Sequence, residues 1–347
     1  MQPIDRRAHF MQTNTQLLAL LDGVVPDEAR ALIDLVALPA CGLKPRRGTV
    51  SRAELALALT LALFAQLVDA VPEATRYVER VRSRGESMTF DHGAVRTVLA
   101  GPFGALPPGQ SAITRILLPL GYTLAGTYPL PRLNMTGRAY IHADDPHGIA
   151  QFFLSELHAD QFSTDFHATV SALLGNSHDP LTTQSLAMLD ALQQGESLPL
   201  DATQELLPQL LRCFARQHPL PSVAQYDVLA AESAEMAWIS TEGQTFNHAT
   251  DRVSDVESLA ASLRAEGYAI KDAVEVSAEG TVRQTALRAA TVERALPQGQ
   301  NVQRLELPGS FFEFISRDAI PGGLLPADMD MRFDSGNATG IFKMTAI

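Results

Sequence analysis

Two distant stretches of this chain begin alike, and that repetition limits what it can fold into. The first opens Thr-Phe-Asp-His at 89–92 and the second Thr-Phe-Asn-His at 245–248. Each places an arginine four residues after its histidine (Arg96, Arg252). Each closes the following helical stretch with Gly-Tyr, at 121–122 and 267–268. After the first lie a helix at 111–122 and strands at 123–130 and 138–144. After the second come a helix at 254–268 and strands at 273–277, 281–289 and 310–317, with Ala-Glu-Gly at 278–280 as a hairpin turn. The matches recur in one order, which reads as a diverged internal β-α-β-β repeat. Two such units side by side place their first strands in one concave sheet. His92 and His248 then face each other across a pocket, and Arg96 shares a face with His92 because strand positions four apart point the same way.

The expected fold class is therefore α+β, a single catalytic domain over 1–347 with added helices. Residues 1–87 form a helical N-terminal part and 88–145 the first unit. Residues 146–220 form a helical insertion, with pieces at 149–160 ("IAQFFLSELHAD") and 184–194, and 221–347 the second unit and tail. Ser51 with Glu54, and Ser254 with Glu257, read as capping boxes. The apolar run 55–68 carries Thr60 and Gln66 and is short for a bilayer, so it reads as a buried helix.

Composition narrows the partners. A net charge of −12 argues against nucleic acid, whose phosphates need a basic surface. An anionic small molecule held by a local arginine remains compatible. Cys41 and Cys213 give neither a disulfide framework nor a zinc motif. The opening sixteen residues lack the apolar core of a secretory signal. The expectation is a cytoplasmic protein without membrane partners; the oligomeric state is left open.

Glu313 is the most informative single residue. It stands between Phe311, Phe312, Phe314 and Ile315, so a strand there surrounds a carboxylate with apolar side chains on both faces. A buried carboxylate needs an ion pair or a metal; Arg304 and Arg317 are the nearby candidates for a pair. His92, His248 and Glu313 together make a two-imidazole, one-carboxylate set with open positions. That arrangement suits non-haem Fe(II), although zinc or manganese takes the same ligands. The other seven histidines show no metal-binding spacing. Arg96 offers a guanidinium fork for the far carboxylate of a diacid, or an ion pair. Arg252 has the same two options, and Gln284 is a candidate pocket residue.

At "DHGAVRT", "FNHATDRV", "VRQTAL", "PGSFFEFISR" and "GLLPADMDMRFDSGNATGIF" the sequence resembles the iron-dependent 2-oxoadipate dioxygenase/decarboxylase family, also called hydroxyglutarate synthase. One departure is Asp251, where a proline is expected before the arginine. The resemblance implies a fold related to the vicinal-oxygen-chelate proteins. It implies Fe(II) on His92, His248 and Glu313, and Arg96 on the distal carboxylate of a 2-oxo dicarboxylate. The implied reaction takes 2-oxoadipate and O2 to 2-hydroxyglutarate and CO2, in lysine breakdown. The alternatives are an oxygen-independent metal-dependent hydrolase, lyase or isomerase, and a non-catalytic metabolite-binding protein.

Overall fold

Ser51 opens the longest helix, α1 (Arg52–Ala70), through the expected capping box: its hydroxyl accepts from the Glu54 amide while its own amide donates to the Glu54 carboxylate at 2.9 Å. The helix is longer than its apolar run. At 19 residues it is long and apolar enough to cross a bilayer by length and composition, but here it is a core helix packed behind a sheet. The computed structural model describes residues 15–25, 29–39, 48–101 and 103–333. Cys41, residues 1–14 and the part of the tail motif beyond 333 lie outside the described residues.

The sheet is built from two similar halves. The first contributes β1 (Phe90–Leu99), α3 (Ser111–Leu117), β2 (Tyr122–Leu130), β3 (Met135–His142) and β4 (Gln151–His158). The second contributes β5 (His248–Arg252), α9 (Val256–Ala265), β6 (Glu275–Val276), β7 (Val282–Ala286) and β10 (Phe311–Arg317). The eight strands order as β2-β3-β4-β1-β5-β10-β7-β6. In each half the last strand runs parallel to the first, and β1 meets β5 antiparallel, with Gly93 opposite Ala249. The first half is thus the expected β-α-β-β followed by one more strand, β4, and the second carries the three later strands expected of it. Between β7 and β10 a separate hairpin, β8 (Thr291–Gln298) and β9 (Asn301–Pro308), leaves the sheet.

Alternation along the strands separates two faces. Phe90, Val95, Phe152, Leu154, Phe312 and Phe314 point to the main core beneath α1 and α2 (Pro72–Ser83). There Phe64 of α1 lies 5.0 Å from Phe90, and Tyr77 of α2 meets Phe314 edge-on at 4.7 Å. His92, Ala94 and Arg96, with Phe153 and Glu313, occupy the opposite face. Helices α4 (Thr164–Leu174), α5 (Thr183–Gln193) and α6 (Leu200–Cys213) come from the insertion. Helices α7 (Val223–Glu232) and α8 (Ala234–Glu242) lie in the stretch assigned to the second unit and precede its first strand.

Two sequence expectations are corrected. Residues 149–160 are not a helix: 151–158 form β4, beside β1. Its apolar residues face two cores, Phe152 and Leu154 behind the sheet and Phe153 before it, and such a doubly buried strand loses the period-two signature. The second capping box is also absent. Asp255, not Ser254, caps α9 by accepting from the Ser258 amide at 2.9 Å, and Ser316 of β10 satisfies the Val256 amide at 2.9 Å. Glu257 pairs instead with Arg283 at 3.3 Å.

Asp251, the residue standing where a proline was expected, faces the main core. It accepts from the Tyr77 hydroxyl at 2.7 Å and the Thr89 amide at 2.9 Å. Burial nevertheless pushes its carboxyl up to about 6. The folded state then holds its proton more tightly than the unfolded chain. Wild-type stability relative to Asp251→Asn should fall as pH rises from about 4 to about 6 and stay lower above that, by up to about 3 kcal/mol. Urea unfolding of both proteins across this range is the check, and parallel profiles would refute the assignment.

Candidate metal centre

The central β1/β5 pair fixes the site. His92 sits opposite Thr250, and Ala94 opposite His248. On the other side of β5, Glu313 of β10 sits opposite Thr250 and Phe311 opposite His248. The three donor atoms converge: His92 Nε2 lies 3.3 Å from His248 Nε2 and 3.3 Å from Glu313 Oε2, and His248 Nε2 lies 3.5 Å from that oxygen. A triangle of such edges puts its centre roughly 2 Å from each corner, the range of ~2.0–2.2 Å in which imidazole nitrogen and carboxylate oxygen bind a metal. All three residues are buried, and the set could hold a metal ion.

The three side chains differ in their electrostatics. Burial pushes His248 down to about 3, so its imidazole is neutral at pH 7. Burial alone would also lower His92, but its bond to Asp91 and the nearby Glu313 outweigh that and raise it. Burial opposes ionisation of Glu313; the adjacent His248 and His92 and the Thr250 hydroxyl outweigh it and hold its carboxyl below the usual range. Thr250 donates to Glu313 Oε2 at 2.8 Å, while Oε1 is buried with no hydrogen-bond partner. A carboxylate oxygen in that condition is costly without a cation. Neither expected arginine supplies one: Arg317 binds Asp91, and Arg304 pairs with Glu293.

The neighbours orient the imidazoles. Asp91 accepts from His92 Nδ1 at 2.8 Å, fixing the tautomer that leaves Nε2 free. A strand reading points Asp91 the other way. A bulge between Phe90 and His92 shifts the register and brings both side chains together. Arg317 grips Asp91 through Nε at 2.9 Å and Nη2 at 2.8 Å, holding its carboxyl well below the usual range despite burial. Asn247 lies 3.0 Å from His248 Nδ1.

The rest of the face is apolar. Phe311 stacks on the His248 ring at 4.9 Å. Phe153 holds, by ladder register, the place in the first half that Glu313 holds in the second; each sits opposite an alanine of its neighbouring antiparallel strand. A strap at Met329–Phe333 crosses the sheet, tied down by Arg317 Nη1 donating to the Asp330 and Arg332 carbonyls at 2.8 and 2.9 Å. The Phe333 ring meets His92 edge-on at 4.8 Å.

Arg96 shares the face with His92, as expected, and is fully buried. Its guanidinium lies 4.9 Å over the Trp238 ring of α8. Burial lowers its pKa to about 10, with Glu235 of α8 acting against the shift, so it stays cationic at neutral pH. Gln284 is buried on the same face, opposite Ile315 and near Glu275. Arg252 lies outside the triad, 3.6 Å from Asp91. Of the other described histidines none joins the cluster; His142, for example, bonds to the Leu120 carbonyl at 2.7 Å. Sequence reading missed Thr250, Asn247 and the orienting role of Asp91. Thr250 was findable, two residues beyond His248 on one strand face; the bulge was not.

The model of the 2-oxoadipate dioxygenase/decarboxylase family matches residues 52–323. A solved structure of a glyoxalase-superfamily protein from Ralstonia eutropha JMP134 is 46% identical, with a TM-score of 0.87 over 92% of this chain and 98% of that one. Hydroxyglutarate synthase from Oryza sativa, in complex with 2-oxoadipate, is 19% identical, with a TM-score of 0.66 over 88% of this chain and 98% of its own. The Pseudomonas putida hydroxyglutarate synthase complex is 16% identical, with a TM-score of 0.61 over 86% and 74%. No curated protein matches.

If Asp91 orients a ligand, Asp91→Asn should weaken divalent-metal binding by about 10–100-fold, and Glu313→Ala should abolish it. Competition against a chromophoric chelator measures both. Unchanged affinity in Glu313→Ala would place the metal elsewhere.

Proposed function

The chain belongs to the 2-oxoadipate dioxygenase/decarboxylase family, and we propose that it is an Fe(II)-dependent enzyme acting on a 2-oxo dicarboxylic acid. The single observation that carries this is the buried triangle of His92, His248 and Glu313, with its orphan carboxylate oxygen. The favoured substrate is 2-oxoadipate, the acid held by both hydroxyglutarate synthase structures above. The product is 2-hydroxyglutarate.

The overall reaction balances without another reductant. A six-carbon 2-oxo diacid and O2 give a five-carbon 2-hydroxy diacid and a single CO2. One oxygen atom goes to the new carboxylate formed as C1 leaves, the other to the hydroxyl. His92, His248 and Glu313 would hold the iron, which when bound would supply the electrons that activate O2.

This chain's residues do the rest. Asp91, locked by Arg317, keeps His92 Nε2 aimed at the ion. Thr250 holds Glu313 through one carboxylate oxygen. Arg96 binds the distal carboxylate: its planar fork suits that group, and stacking against Trp238 keeps the guanidinium in place. It stands four strand residues, about 13 Å of rise, from His92, an interval that the extended arginine and a diacid span together. Phe153, Phe311 and Phe333 exclude water and direct a reactive oxidant to the substrate. This reading puts the enzyme in lysine breakdown in the cytoplasm.

Anaerobically purified protein reconstituted with Fe(II) should consume O2 and release CO2 with 2-oxoadipate, and Glu313→Ala should do neither. An oxygen electrode with headspace CO2 analysis is the measurement. Iron retained without O2 uptake would favour an oxygen-independent hydrolase, lyase or isomerase. Arg96→Ala should raise KM for 2-oxoadipate by about 10–100-fold, the loss of a charge-assisted bond, and erase preference for the diacid over a monocarboxylic 2-oxo acid.

A further inference from the structure

Arg252 has no part in that chemistry, yet it closes one end of a cavity of about 450 Å³. The cavity lies between the segment 36–39, α1 and the loop 145–150. Its size is that of a small-molecule site. Val36, Leu57, Leu61 and Phe90 make much of its wall, with Arg252 and His147 at the polar end.

The acids around Arg252 have other partners as well. Asp91 is the acid nearest to Arg252, at 3.6 Å, but it is already gripped by Arg317 and bonded to His92. Asp145, the acid in the cavity wall, accepts from the Gly148 amide at 2.8 Å. Arg252 Nη2 donates to the His147 carbonyl at 3.0 Å. Nη1 faces the thioethers of Met329 at 3.2 Å and Met331 at 3.9 Å, which are weak acceptors. His147 Nδ1 is buried with no hydrogen-bond partner. A guanidinium whose Nη1 meets two thioethers and a shared carboxylate, beside an unsatisfied imidazole nitrogen and an apolar chamber, suits an anionic head with an apolar tail.

We propose that this cavity is a second binding site, for a small carboxylate with an apolar tail. The carboxylate displaces the thioethers from Arg252 and takes up His147, and the tail lies along Leu57, Leu61 and Phe90. The site stands apart from the metal triad and does not depend on the dioxygenase reading.

Octanoate titrated calorimetrically into the full chain tests this. One equivalent should bind with a Kd of about 0.1–1 mM. Binding should weaken at least about tenfold in Arg252→Gln, which removes one charged partner. Ala37→Trp, which adds bulk at another lining residue and leaves the Arg252 side chain unaltered, should weaken it equally and guards against misfolding of the first variant. Arg96→Ala should bind as the wild type does. Absence of binding in the folded wild type, binding that persists in either cavity variant, or binding lost in Arg96→Ala would overturn the proposal.

Discussion

The antiparallel pairing of β1 with β5 is the contact on which the site depends. It is the seam between two similar halves and brings His92 within 3.3 Å of His248 across it. The approach is close enough to demand glycine at its centre. A Cβ on Gly93 would come within 2.3–2.8 Å of the Phe246 ring, which packs from the main-core side.

Around that seam, fixed charges are buried in a chain of partners. Arg317 neutralises Asp91, Asp91 orients His92, and the strap is tied to the same Arg317. An isolated buried carboxylate or guanidinium would cost several kcal/mol, so each member keeps its place because the next one does. Glu313 Oε1 is the exception, and exceptions of this kind are where function is sought.

Much of this was legible in the sequence, for identifiable reasons. The repeat of Thr-Phe-(Asp/Asn)-His, with arginine four residues on, located both histidine strands and their shared face. Alternation around Glu313 located the third member of the cluster, because phenylalanines on both sides admit no solvent. Strand β4 was misread because it is buried on both faces and so shows no alternation. Asp91 was misplaced because a one-residue bulge reverses a side chain without altering the pattern. The Trp238 and Glu235 surroundings of Arg96 come from α8, more than a hundred residues along the chain, a distance no local pattern bridges.

Phe153 gives the duplicated architecture a particular meaning. Two halves related by approximate symmetry would carry four equivalent corners facing the seam, and this chain furnishes three with donors and the fourth with a benzene ring. Symmetry was broken at one side chain. A carboxylate there would complete a closed, four-donor cage suited to holding an ion; a hydrocarbon leaves that quadrant unclaimed. What such a centre could do would be set as much by the corner that offers no donor as by the three that offer one.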